Sequence, residues 1–214
     1  MGELPTAASL YLPEFLPYID HGSSGLSANK WVQIQAKKPL SGKELSRGYI
    51  YVYWNRASFG VWKIGCTGRD VELRLSEWAD NCKHSAAELY RSVGVRNVRR
   101  VERLIHADLK DYRVFQPACH SCLTSHNEWF TNVDFEVILE RIEFWCQWIS
   151  KEPYTEDSGL LKEDARKQLP RLLSIGESSL RKKERLMART SSLGRAAKRL
   201  TGKGFSRTKS LLRS

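Results

Sequence analysis

The stretch GYIYVYWNRASFGVWKIGCT, residues 48–67, decides the fold. GYIYVYW (48–54) is β-branched and aromatic, NRASFG (55–60) carries turn residues, and VWKIGCT (61–67) resumes the strand composition. Two such runs joined by a short loop are a hairpin, and therefore antiparallel. Working outward, DVELRLSEWADNC predicts a helix over 70–82, with Asp70 as N-cap and Val71, Leu75 and Trp78 on one face. ELYRSVGV (88–95) reads as a third strand. Asn97 then caps a helix over 98–112 whose apolar stripe is Val101, Leu104, Ile105 and Leu109. A loop containing Cys119 and Cys122 runs on to NEWF (127–130). The last core helix spans 134–150, with Phe135, Ile138, Leu139, Ile142, Cys146 and Ile149 at helical spacing. The expected fold is α/β (α+β): a small three-stranded antiparallel sheet flanked by helices, over residues 47–150.

On either side the character changes. Residues 1–46 contain Pro5, Pro13, Pro17 and Pro39 and read as an irregular arm and linker, in which LYLPEFLPYI can dock only as an extended segment. Residues 151–214 read as a basic tail, largely disordered or partly helical. The charge lies there: residues 160–214 hold 16 Lys and Arg against 4 Asp and Glu, a net +12, while the first 159 residues net −1. Such a segment binds polyanions, nucleic acid above all, or serves as a nuclear address. Arg181, Lys182 and Lys183 are candidate DNA contacts. RKKER (181–185) and RAAKRL (195–200) together resemble a two-part import signal, so a nuclear location is expected. No apolar run approaches the roughly 20 residues that span a bilayer, and the first residues lack a basic n-region before an apolar one. The chain reads as intracellular, with no membrane association; protein partners are not legible in it.

Three features of the core point to chemistry. Gly65 sits inside a strand, where glycine weakens the ladder unless something must come close. Arg74 lies beside the buried face of its helix, where a guanidinium needs an anion. It could find one in Glu77 or Asp70. Glu102 and His106, at i and i+4, can point at one site, although Glu102 could instead pair with Arg99 or Arg103. A tyrosine-rich hairpin, an arginine and a carboxylate suit phosphodiester cleavage. The tyrosine serves as general base, the arginine offsets phosphorane charge, and the carboxylate holds Mg2+ (or Mn2+).

These residues carry a resemblance. GYIYVY, KIGCT, an arginine in the next helix, VERLIHADL and EWF, in that order, resemble the GIY-YIG nuclease superfamily. More closely they resemble its branch first described as a DNA-binding domain in a bacteriophage open reading frame and common in fungal proteins. The resemblance covers about residues 47–150. It implies metal-dependent endonuclease activity on DNA, with Tyr51 as general base, Arg74 stabilising the phosphorane and Glu102 holding Mg2+; His106 is a further catalytic candidate. Tyr49 stands where the family has its first glycine, with Gly48 just before it. Lys63 replaces the second tyrosine, which helps position the nucleophilic water; a lysine there can contact the scissile phosphate as a point charge. The alternatives are a DNA-binding module of the same fold without cleavage, and a protein-interaction scaffold using Trp145, Trp148 and the N-terminal arm. Glu128 is either a second site carboxylate or a cap, with Trp129 and Phe130 as anchors.

CHSCLTSH (119–126) forms a second constellation. Cys119, Cys122 and His126 offer three ligands suited to structural zinc, and a tetrahedral site needs a fourth. Cys82 is the choice, with His84 and His120 as rivals; a redox C-x-x-C pair or free thiols are the alternatives. Fungal members of the resembling branch have a similar cysteine ending that helix and a similar C-x2-C…H before EWF. Cys66 and Cys146 read as core residues.

Overall fold

The computed structural model describes residues 14–55, 60–83 and 86–176. The candidate contacts Arg181, Lys182 and Lys183, the rival ligand His84 and most of the basic tail lie outside them. The chain divides into two units, Met1–Leu169 and Pro170–Ser214. Of the second, the described residues 170–176 are helical. All six strands belong to the first.

Its centre is the expected hairpin, β2 (Tyr49–Asn55) and β3 (Val61–Thr67), paired antiparallel with Tyr51 opposite Gly65 and Tyr53 opposite Lys63. The sheet is larger than three strands. Six antiparallel strands lie in the order β1-β5-β6-β3-β2-β4. β4 (Ala86–Arg91) is the third strand that the sequence announced, starting and ending earlier than 88–95. β5 (Arg113–Gln116) and β6 (His126–Thr131) lie beyond the expected helix 98–112, in the stretch expected as a loop running on to NEWF. They are short and interrupted by the cysteine loop, and His126–Thr131 places Trp129 and Phe130 on opposite faces, so no apolar alternation marks the strand. β1 (Leu16–Pro17) is an edge strand against β5, where a proline without an N–H is tolerated.

Residues 1–46 are not irregular throughout. Ser27 caps a helix, α1 (Ala28–Lys37), accepting from the Lys30 N–H, and Trp31, Val32, Gln35 and Ala36 are buried. The prolines flank this helix without entering it. A 3-10 turn follows at Gly42–Glu44.

Two helices sandwich the sheet. α2 (Val71–Cys82) is capped by Asp70, which accepts from the N–H groups of Glu72 and Leu73 at 2.7 and 3.2 Å. It sets Val71, Leu75 and Trp78 against Tyr51, Tyr53 and Trp129. α3 (Val98–Asp108) covers the opposite face, where His106 meets Phe130. Asn97 precedes α3 but does not cap it: its backbone is left-handed and its amide donates to the Glu44 carbonyl. α3 stops at Asp108 and a 3-10 turn replaces its expected last residues. α4 (Phe135–Ser150) packs on α3 through a buried pair, Asp108 with Arg141, and through Trp145, whose indole donates to the same carboxylate. Trp145 and Trp148 are buried, which removes the aromatic surface on which a scaffold reading partly rested.

Both motif glycines answer to close approach. A Cβ on Gly65 would lie 2.6 Å from the Tyr51 hydroxyl, and one on Gly48 would lie 2.2 Å from the Thr67 carbonyl oxygen. Only a residue without a side chain lets the Tyr51 ring cross the neighbouring strand.

Candidate functional site

The candidate residues fall into two groups that meet at one ion pair. The first surrounds Trp78. The Tyr51 hydroxyl is buried and accepts from the Trp78 indole N–H at 3.2 Å. Burial pushes its phenol up to about 12, against the opposing pull of Trp78 and Arg74. Arg74 lies over the Trp78 ring at 4.8 Å and pairs with Glu77 at 2.9 Å, one of the two acids named for it. Lys63 is fully buried, with Nζ 3.2 Å from the Trp78 ring centre and the rings of Trp129 and Tyr53 further out. Its Nζ has no hydrogen-bond partner among the described residues, and burial pulls it down to about 8 in spite of Glu128. A cation enclosed by three aromatic faces is held partly by their quadrupoles.

The second group lines a cleft of about 490 Å³ on the α3 side. Glu102, His106 and Glu128 belong to it, and Tyr51, Lys63 and Arg74 do not. His106 Nε2 is 3.1 Å from the Ile64 carbonyl oxygen. A carbonyl only accepts, so Nε2 carries the proton and Nδ1 is the acceptor. Burial holds the ring well below its usual pKa, and it stays neutral. Glu102 pairs with neither Arg99 nor Arg103; its Oε2 accepts from the Cys66 thiol at 3.2 Å. Burial, then the Glu128 carboxylate, pushes its carboxyl up to about 7.

Lys63 and Glu128 join the groups at 3.5 Å. The β3–β6 ladder ends at Lys63 opposite Trp129, and Glu128 is the next residue beyond it. Trp78 and Glu128 are thus the residues through which the motif residues connect. Trp78 reads in the sequence as ordinary apolar periodicity on α2, and Glu128 as either a second site carboxylate or a cap.

The raised Glu102 carboxyl has a consequence for stability. The native state keeps a proton that the unfolded chain releases near pH 4.5, so stability falls as pH rises from about 4.5 to about 7. Glu102→Gln cannot ionise and should flatten that slope. At pH 8, without added divalent cation, the variant is expected to be about 1–3 kcal/mol more stable than wild type, and equal to it near pH 4. Urea midpoints across that range test this; equal midpoints at pH 8 would refute it.

Behind Trp78 lies the sulfur-rich constellation. Cys82, at the end of α2, Cys119, Cys122 and His126 hold one ligand atom each within 4.8 Å of one another. Cys82 Sγ is 3.8 Å from Cys122 Sγ and 3.5 Å from His126 Nε2, and Cys122 Sγ is 3.2 Å from that nitrogen. A tetrahedron with Zn–S bonds of about 2.3 Å has S···S edges of about 3.8 Å. The four residues can therefore hold a metal such as zinc, with Nε2 as the histidine ligand. Cys82 takes the fourth place and His120 is outside the cluster. His126 also meets the Trp78 ring edge-on at 5.2 Å, so the cluster backs the residue that organises the first group.

Cys66 and Cys146 are half-buried free thiols, Cys66 serving as the donor to Glu102.

Among known proteins, a family model described as the T5orf172 domain matches residues 48–146. That range contains β2 to β6, α2, α3, nearly all of α4, and every candidate residue of both groups and of the cluster. No curated protein and no solved structure matches the chain. The match is consistent with a DNA-binding or nuclease-like role. No helix among the described residues is long and apolar enough to cross a membrane.

Proposed function

We propose that residues 48–146 bind DNA and hydrolyse its phosphodiester backbone with a divalent cation held at Glu102. The observation that carries this reading is the carboxylate pair in the cleft. Burial, and then Glu128, raise the cost of charge at Glu102, while Arg99 and Arg103 line the same cleft. Oxygen donors crowded by like charge suit a hard cation, Mg2+ or Mn2+, which offsets that repulsion. Such an ion would polarise the phosphodiester and lower the pKa of a bound water.

The chain's own residues supply the rest. Arg99 and Arg103 hold the phosphate beside the carboxylates. His106, neutral and with its tautomer fixed by Ile64, presents a constant acceptor. Lys63 restrains Glu128 from inside the sheet; at zero exposure its charge acts on that carboxylate and not on a phosphate. Tyr51 is the base that the resemblance names. A phenol near 12 is ionised in roughly one molecule in 10⁵ at pH 7, so Tyr51 serves in this arrangement by holding Trp78, on which Lys63 and Arg74 rest. The basic runs at 181–185 and 195–200 support a nuclear location.

One observation favours the second reading, a DNA-binding module without cleavage: the groups at both tyrosine positions of the motif are enclosed. Nicking of supercoiled plasmid by the full chain with Mg2+ or Mn2+, beside Glu102→Ala, separates the two. Cleavage that falls at least 100-fold in the variant is expected. An intact plasmid that is nevertheless retarded on the gel would establish the binding module instead.

A further inference from the structure

The cleft that holds Glu102 has two walls, and one of them comes from outside the matched 48–146. α1 and the turn after it contribute Lys38 and Lys43; α3 contributes Arg99 and Arg103. Lys43 and Arg99 are exposed, and neither forms an ion pair among the described residues. The rings of Tyr18 and His21 lie on the same lining. A charged wall is useful only if it keeps its distance from the opposite one, and here a buried connection fixes it. Arg100 of α3 donates to Glu44 at 2.7 and 3.1 Å and to the carbonyls of Gln35, Lys38 and Pro39 at 2.7–2.9 Å. Arg103 closes the set on Glu44 at 2.9 Å.

We infer that this cleft is a channel for one unpaired DNA strand, threaded between the α1 wall and α3 past Glu102 and Glu128. The inference rests on the proposed DNA-cleaving role and names its substrate class. A cleft of about 490 Å³ is the size that encloses a small ligand, and a nucleotide or two belongs to that class. A duplex is a convex rod whose major groove alone is about 12 Å wide, and it would lie across the mouth with its phosphates away from the carboxylates. A single strand exposes phosphate on both sides, which matches cations on both walls, and its unpaired bases can stack on the rings at the lining. Chemistry on carboxylates inside the cleft then selects frayed, flapped or single-stranded DNA over paired DNA.

The test is binding, read separately from cleavage. Fluorescence anisotropy of the full chain, with Ca2+ in place of Mg2+ and no chelator, compares a labelled 12-nucleotide oligo(dT) with a hairpin duplex of equal length. Tighter binding of the single strand is expected. Lys43→Glu and Arg99→Glu should each weaken single-strand binding about tenfold and reduce its salt slope by about 0.7. Duplex binding, which the basic tail also supports, should change less than twofold. Lys151→Glu, an equal charge change outside the cleft, should alter neither. Because Lys43 is exposed and unpaired, its variant is not expected to unfold; a circular dichroism melt checks this. Equal affinity for duplex, or equal losses for both forms in Lys43→Glu, would overturn the channel. Cleavage of plasmid with no single-strand preference overturns the channel alone and leaves the nuclease. Single-strand binding without any cutting supports the channel and overturns the nuclease.

Discussion

Stripping the metal from the Cys82–Cys119–Cys122–His126 cluster is expected to destabilise the protein by on the order of 5 kcal/mol. That is less than the roughly 10–16 kcal/mol for zinc-finger peptides, because a core of six strands and packed helices persists without it. The loss has two sources. The ligands come from the end of α2 and from the loop and first residue around β6, so a metal held by them would close a long excursion of chain onto a helix. Without it, three thiols and an imidazole are left crowded together, two of the thiols, Cys82 and Cys119, being buried. Cys119→Ser should retain less than one metal ion per chain and melt well below wild type. Wild type treated with a chelator should melt with the variant, and zinc should restore only the wild type. His126 touches Trp78, so the same treatment should change tryptophan emission and reduce any cleavage. Purified protein that contains no metal, and whose melting is indifferent to chelator, would overturn the assignment.

Arg100→Ala is expected to cost about 3–5 kcal/mol, the cost of removing one partner from a buried ion pair. The arginine is unexposed, and its removal takes a donor from the Glu44 carboxylate and from the carbonyls of Gln35, Lys38 and Pro39, although Ser41 still donates to Glu44 and the Lys38 N–H to Gln35. Arg103 reaches Glu44 from a more exposed position and recovers part of the loss. The effect has a pH signature. Burial raises the Glu44 carboxyl, but the hydrogen bond from Arg100 and those from Ser41 outweigh it and hold the group at about 2. A depressed carboxyl contributes stability that is present above pH 4.5 and is lost as pH falls toward 2. Arg100→Ala should therefore remove most of that acid-side slope as well as lowering the plateau. Denaturant titration at pH 7 and pH 3 measures both. A variant within 1 kcal/mol of wild type at pH 7 would show that the pair does not anchor the α1 wall. If the wall does move, oligo(dT) binding should weaken in Arg100→Ala even where the protein is fully folded.

The sequence by itself determined the hairpin, the three core helices and all four members of the metal cluster; the register that sets Tyr51 opposite Gly65 came from the structure. The former depend on local rules: alternation in strands, helical spacing, the Asp70 cap, and a C-x2-C pair whose ligand chemistry admits few readings. It also located Glu102 and His106 on one helix face. Tertiary structure decided what no window of sequence contains. β5 and β6 exist as strands because each finds a neighbour in the sheet, not because either has a pattern. α1 is helical between prolines because its buried face rests on α3 through Arg100. Lys63 reads as a point charge for the scissile phosphate and lies inside three aromatic rings, since the residues that enclose it come from β2, α2 and β6. Glu102 and Glu128 are 26 residues apart and become a pair only where the β3–β6 ladder stops. Local propensity fixes which face a side chain takes on its own element; the distance between charges on different elements is set by packing alone.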